Sequence, residues 1–135
     1  MTRWRSFPKG SSESKYHARK VMQDGEVFDS IKERNRYNEL LLLEKAGEIS
    51  GLKRQVKYLL IPEYREPDTA GPRGGIHKGK VIERAVYYIA DFVYFVHDSS
   101  GGEWVVEDAK GVRTPDYILK RKLMFDRHGI RIRET

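Results

Sequence analysis

Asp91 interrupts an otherwise apolar run, Tyr87-Tyr-Ile-Ala-Asp-Phe-Val-Tyr-Phe95. A carboxylate in such a segment loses hydration on folding, which is costly unless something compensates for it. Downstream, Asp108 and Lys110 lie two residues apart in Val106-Glu-Asp-Ala-Lys-Gly111. On a strand this spacing points both side chains to one face and sends Glu107 to the other. Upstream, Glu33 follows Ser30 by three residues at the start of a helical pattern. A few carboxylates beside a lysine suit hydrolysis of a phosphodiester. The attacking water must lose a proton while negative charge grows on the phosphate and the leaving oxygen, and a divalent cation held by acids meets both needs. Mg2+ prefers oxygen ligands and keeps several waters, so two or three acids suffice. The lysine orients the water or stabilises the developing charge.

Each of these residues also has a plainly structural reading. Glu33 fits the third position of a capping box with Ser30. Asp91 fits a salt bridge to Arg84 or another base, as buried acids in small domains are usually paired. Asp108 and Lys110 fit an exposed strand pair before a glycine. Taken singly, the structural readings prevail; the four together, in this order on these elements, favour chemistry.

The elements that must position them are legible. Ser30 and Glu33 open a pattern carrying Tyr37, Leu40, Leu41, Leu42, Leu43 and Ala46, and Gly47 suits a left-handed cap. The spacing predicts a helix over 31–46. A strand is expected over 54–61, with Val56, Tyr58 and Leu60 on one face and Pro62 as its stop. Residues 62–80, punctuated by prolines and glycines, read as a loop without a Walker pattern. The strongest strand signal covers 85–96. Asp98-Ser-Ser-Gly-Gly102 then leads into an antiparallel partner over 103–110, which brings Asp91 near Asp108 and Lys110. Trp104 is expected in the core. Thr114-Pro115-Asp116 opens a second helix, running to His128 and ended by Gly129. Tyr117 reads as a packing residue, and Ile130 and Ile132 as a short last strand. His17, His77, His97 and His128 show no metal-ligand spacing. The expected architecture is a single α/β domain with a mixed sheet flanked by helices, in the order helix, three strands, helix, strand.

Phe28-Asp-Ser-Ile-Lys-Glu33 opening a helix, Ala90-Asp91-Phe92, and Val106-Glu-Asp-Ala-Lys-Gly111 together resemble the PD-(D/E)XK nuclease superfamily. The resemblance spans about residues 15–134. It looks closest to the small phage-encoded branch that includes Holliday-junction-resolving enzymes of DNA recombination. It departs at Ala90, where the family motif carries proline. It implies a restriction-endonuclease-like α-β-β-β-α-β core over 15–135, with Glu33, Asp91, Asp108 and Lys110 as catalytic residues. Asp91, Asp108 and the Ala109 carbonyl would bind Mg2+, or Mn2+ in its place. Glu33 would hold a second metal or its water, and Lys110 would position the nucleophile.

The charge distribution fits a polyanionic partner and, equally, an ordinary solvated surface. Of the 135 residues, 26 are Lys or Arg and 20 Asp or Glu, for a net charge of +6. Residues 1–20 hold six basic side chains against one acidic, and 113–133 hold seven against two. The stretch between them is acidic. Two basic flanks around an acidic centre suit phosphates gripped at the edges and metal in the middle. Lys15, Arg19, Lys20, Arg113, Lys120 and Lys122 are the candidate DNA contacts, and residues 1–14 are expected to form a flexible basic arm. Such backbone contacts suit branched DNA, which is read by shape. Paired incision of a symmetric junction calls for a homodimer. The alternatives are a nicking or general DNA endonuclease and a non-catalytic DNA-binding protein of the same fold. With no cysteine, disulfides and thiolate zinc sites are excluded. With no long apolar run and no signal-like start, a soluble cytoplasmic protein is expected, in the host cytoplasm if phage-encoded.

Overall fold

The computed structural model describes residues 20–110 and 112–135. The chain begins with a hairpin, β1 (Val21–Gln23) and β2 (Glu26–Phe28), around an Asp24-Gly25 turn. Helix α1 (Ile31–Lys45) follows, and the Ser30 hydroxyl accepts the Glu33 N–H at 3.1 Å. Its end is a Schellman motif. The Glu48 N–H reaches the Leu43 carbonyl and the Gly47 N–H that of Glu44, with Gly47 at φ 77°.

The main sheet contains β3 (Ile49–Ile61), β8 (Val86–Val96), β9 (Glu103–Asp108) and β10 (Arg133–Glu134), in the order β10-β9-β8-β3. The β3–β8 and β8–β9 pairs are antiparallel and β9–β10 is parallel, so the sheet is mixed. The β8–β9 turn requires glycine at 102, because a Cβ there would stand 2.0 Å from the Val96 carbonyl oxygen. Helix α2 (Pro115–His128) joins β9 to β10, capped by Thr114 at its start and by left-handed Gly129 at its end.

Two apolar clusters hold these layers together. Under α1 lie Leu40, Ile49, Phe92 and Tyr94; under α2 lie Leu60, Tyr88, Ala90, Val93, Val106, Tyr117 and Met124. Each fully buried side chain of this size contributes roughly 1.5–3 kcal/mol. Even-numbered residues of β8 face α2 before Asp91 (Tyr88, Ala90) and α1 after it (Phe92, Tyr94). Strand alternation therefore reverses at Asp91, opposite Gln55 of β3, and places the acid on the seam between the two layers.

Several expectations need correction. The strand expected from 54 begins at Ile49, because pairing with the full length of β8 recruits its polar start, Ile49 opposite Val96. Residues 62–80 are not featureless. They carry β4 (Tyr64–Arg65), β5 (Thr69–Ala70) and β6 (Ile76–His77), and with β7 (Val81–Glu83) these form nested antiparallel pairs, β4 with β7 and β5 with β6. Trp104 is not core: it is 61% exposed and stands edge-on to Phe95. The last strand is Arg133–Glu134, while Ile130 and Ile132 pack against the α2 cluster.

Candidate active site

Asp108 ends β9 and is buried. Its Oδ2 accepts a short hydrogen bond from the Tyr88 phenol, and its Oδ1 has no hydrogen-bond partner, with the Lys110 Nζ 3.3 Å away. Asp91, on the adjoining strand, accepts the Ala109 N–H at Oδ2, 2.9 Å. Burial first, then the facing Asp108 carboxylate, push the Asp91 carboxyl up to about 8; Glu33 adds to the effect and the Ala109 N–H opposes it. Burial and crowding thus disfavour a negative charge on Asp91 while no cation is near. Burial and Asp108 likewise hold the Tyr88 phenol far above its ordinary range, so it stays a donor.

Glu33 reaches the same place from α1. Its carboxylate is buried, accepts the Asp29 N–H at 3.1 Å, and faces Gln55 Nε2 at 3.0 Å and Arg54 at 3.4 Å. The capping box is thus only half closed. The backbone of Glu33 serves the cap, which frees its carboxylate for the site. Arg54 compensates that charge while lying over the Phe28 ring, 3.7 Å from its centroid.

Lys110 lies beside Asp108 with its ammonium 4.5 Å from the centre of the Tyr117 ring. Its carbonyl accepts the Lys32 ammonium at 2.8 Å, which ties the start of α1 to the end of β9. Tyr117 is buried and packs against Tyr88, as expected of a packing residue. Glu107 turns to the opposite face, where Arg36 and the Tyr94 phenol hold it. The four predicted residues converge, and Glu107 does not join them.

Sequence reasoning missed Gln55. Its φ of 52° is one that residues other than glycine seldom adopt, at a cost of roughly 1–2 kcal/mol. Its amide donates to Glu33 Oε1 at 3.0 Å and reaches Asp91 Oδ1 at 3.4 Å. The only sequence signal was an amide in an otherwise ordinary strand pattern.

Among the described residues, no three acidic or imidazole side chains form a ready-made ion cage. The donor set still suits a hard cation. It offers oxygen ligands alone, among them a buried Asp108 oxygen without a hydrogen-bond partner and the Asp91 carboxyl, whose charge burial and crowding disfavour. A cation would relieve both costs.

The proposed DNA contacts are scattered. Lys15, Arg19 and the arm over 1–14 lie outside the described residues. Lys20 is exposed just before β1. Arg113 pairs with Glu134 and Lys120 with Asp116, whereas Lys122 is exposed along a groove shared with Arg121, Phe125 and Arg131. That groove, between α2 and the C-terminal segment, is also lined by Asp126 and Glu134 and by none of Glu33, Asp91 and Asp108. No helix among the described residues is long and apolar enough to cross a membrane.

A family model described as "Protein of unknown function (DUF1064)" matches residues 13–135. No curated protein and no solved structure matches the sequence.

Proposed function

The chain belongs to the DUF1064 family, and we propose that it is a divalent-metal-dependent DNA endonuclease of the PD-(D/E)XK type. One observation carries this reading: Glu33 from α1 and Asp91 from β8 share the Gln55 amide, and Asp91 in turn accepts the Ala109 N–H between Asp108 and its ion-pair partner Lys110. The order α1-β3-β8-β9-α2-β10 around a mixed sheet supports a restriction-endonuclease-like core.

In this reading Asp91 and Asp108 hold Mg2+ or Mn2+ with help from the Ala109 carbonyl, and Glu33 completes the acidic group. When bound, the cation supplies Lewis acidity that eases deprotonation of water and neutralises phosphate charge. The protein's own groups do the positioning. The Ala109 N–H fixes one oxygen of Asp91 and the Tyr88 phenol one oxygen of Asp108, so the two carboxylates that would hold the cation are oriented by the protein itself. The Lys110 ammonium orients the attacking water and stabilises charge growing on the phosphate. The product is a hydrolysed phosphodiester.

Branched DNA is the substrate class we favour, cut by a homodimer in the cytoplasm. The support is the basic character of both ends of the chain, which suits backbone contacts over base reading. The test is incubation with four-way, nicked and linear DNA, in Mg2+ or in EDTA. Cleavage of the four-way junction in Mg2+ alone is expected. Preferential cutting of nicked or linear DNA would replace the substrate class with a nicking or general endonuclease. Binding without cleavage of any substrate would leave a DNA-binding protein that lacks the chemistry.

A further inference from the structure

We propose that Gln55 is a positioning residue of the metal centre, its amide holding the Glu33 and Asp91 carboxylates together as one unit. The inference rests on the nuclease reading, because it takes both acids as cation-binding groups.

Three observations converge on Gln55. The first is its backbone. Among the described residues only Asp24 and Gln55 combine a side chain with positive φ, at 50° and 52°. Asp24 sits in the two-residue turn between β1 and β2, where that conformation is expected. Gln55 lies inside β3, with pairing intact on both sides: Arg54 opposite Phe92 and Val56 opposite Ala90. Pairing runs on through this point, so no hairpin turn accounts for the conformation, which coincides with the reversal of strand alternation at Asp91 opposite it. Such outliers persist where the surroundings enforce them, and they gather at functional sites.

The second is the contact itself. The amide nitrogen is 3.0 Å from Glu33 Oε1 and 3.4 Å from Asp91 Oδ1, bridging acids that come from α1 and β8. The NH2 end of the amide faces both oxygens and can donate to each. The third is the residue type. A lysine here would neutralise the acids and repel a cation, and a further carboxylate would add to their repulsion. A neutral donor bridges the two acids without adding to the positive charge that Arg54 already brings to Glu33. Partners of this kind, one step removed from the ion, typically govern metal affinity by 10–100-fold.

The test is calorimetric titration of Mn2+ into wild type and Gln55→Gly, with thermal melting of both in EDTA. Glycine accepts the left-handed backbone and removes the whole side chain, the amide with it. The expected result is a metal-free melting temperature at or above that of wild type, with Mn2+ affinity weakened about ten-fold or more. Wild-type Mn2+ affinity in Gln55→Gly would overturn this proposal and leave the nuclease reading standing. A wild type that binds no Mn2+ would overturn both. Should Gln55→Gly fail to fold, Gln55→Asn decides by the same titration, since asparagine tolerates the left-handed region but is one methylene too short to bridge both acids.

Discussion

Arg36 grips Glu107 through two hydrogen bonds of 2.7 and 2.8 Å, on the face of β9 opposite Asp108. Neighbouring acids thus have separate tasks: Glu107 ties α1 to the sheet, while Asp108 faces Asp91 and Lys110. Glu107 is fully buried, and the Tyr94 phenol occupies its remaining capacity. Removing Glu107 leaves the buried Tyr94 phenol without its acceptor and Arg36 paired with Glu39 alone, at a cost of roughly 1–3 kcal/mol. Glu107→Ala should therefore lower stability to urea by about that amount. At temperatures where it stays folded, Mn2+ binding should persist. Loss of Mn2+ binding from a folded variant would place Glu107 in the site.

Asp91→Asn and Asp108→Asn should each abolish Mg2+-dependent cleavage while retaining the fold and DNA binding. An amide cannot supply the negative charge that a metal ligand requires. Gel assays of cleavage, with binding measured in parallel in Ca2+, provide the comparison. Near wild-type cutting by either variant would refute the site assignment.

Asp91 also predicts a pH dependence for the metal-free protein. Its carboxyl is raised from 3.8 to about 8 in the folded state, by burial and by Asp108. A group whose folded value is raised contributes stability that is fully present below its unfolded value and is lost as pH rises through the folded one. In EDTA, stability should therefore decline between about pH 4 and pH 8. Asp91→Asn should flatten this decline and melt several degrees above wild type at pH 8. Equal melting curves for the two proteins across this range would show that Asp91 is not protonated in the fold.

Glu33 and Ser30 can be separated experimentally. The cap runs from the Glu33 N–H to the Ser30 hydroxyl, so Ser30→Ala should cost about 1 kcal/mol and spare activity. Glu33→Gln leaves that bond in place and should abolish cleavage with little change in melting temperature. Retained cleavage in Glu33→Gln would return Glu33 to a purely structural role.

Local rules make much of this molecule legible in its sequence. Ser30, Gly47, Thr114 and Gly129 mark helix ends because the groups they satisfy lie within a few residues. Strand parity alone separates Glu107 from Asp108 and Lys110, and the hairpin signal brings Asp91 beside them. What tertiary structure decides lies farther apart along the chain. Arg36 meets Glu107 across 71 residues, and Gln55 meets Asp91 across 36, contacts that no short-range pattern encodes. Ile49 is a strand residue because β8 is long enough to pair with it, despite the polar segment that follows. Trp104 is exposed although it shares the face of Val106, because the α2 cluster covers that face only farther along the strand, and a lone aromatic does not reveal that. The conformation of Gln55 is the clearest case. Glutamine has no preference for positive φ, so only the two acids packed against it, and the reversal of β8 at Asp91, account for it.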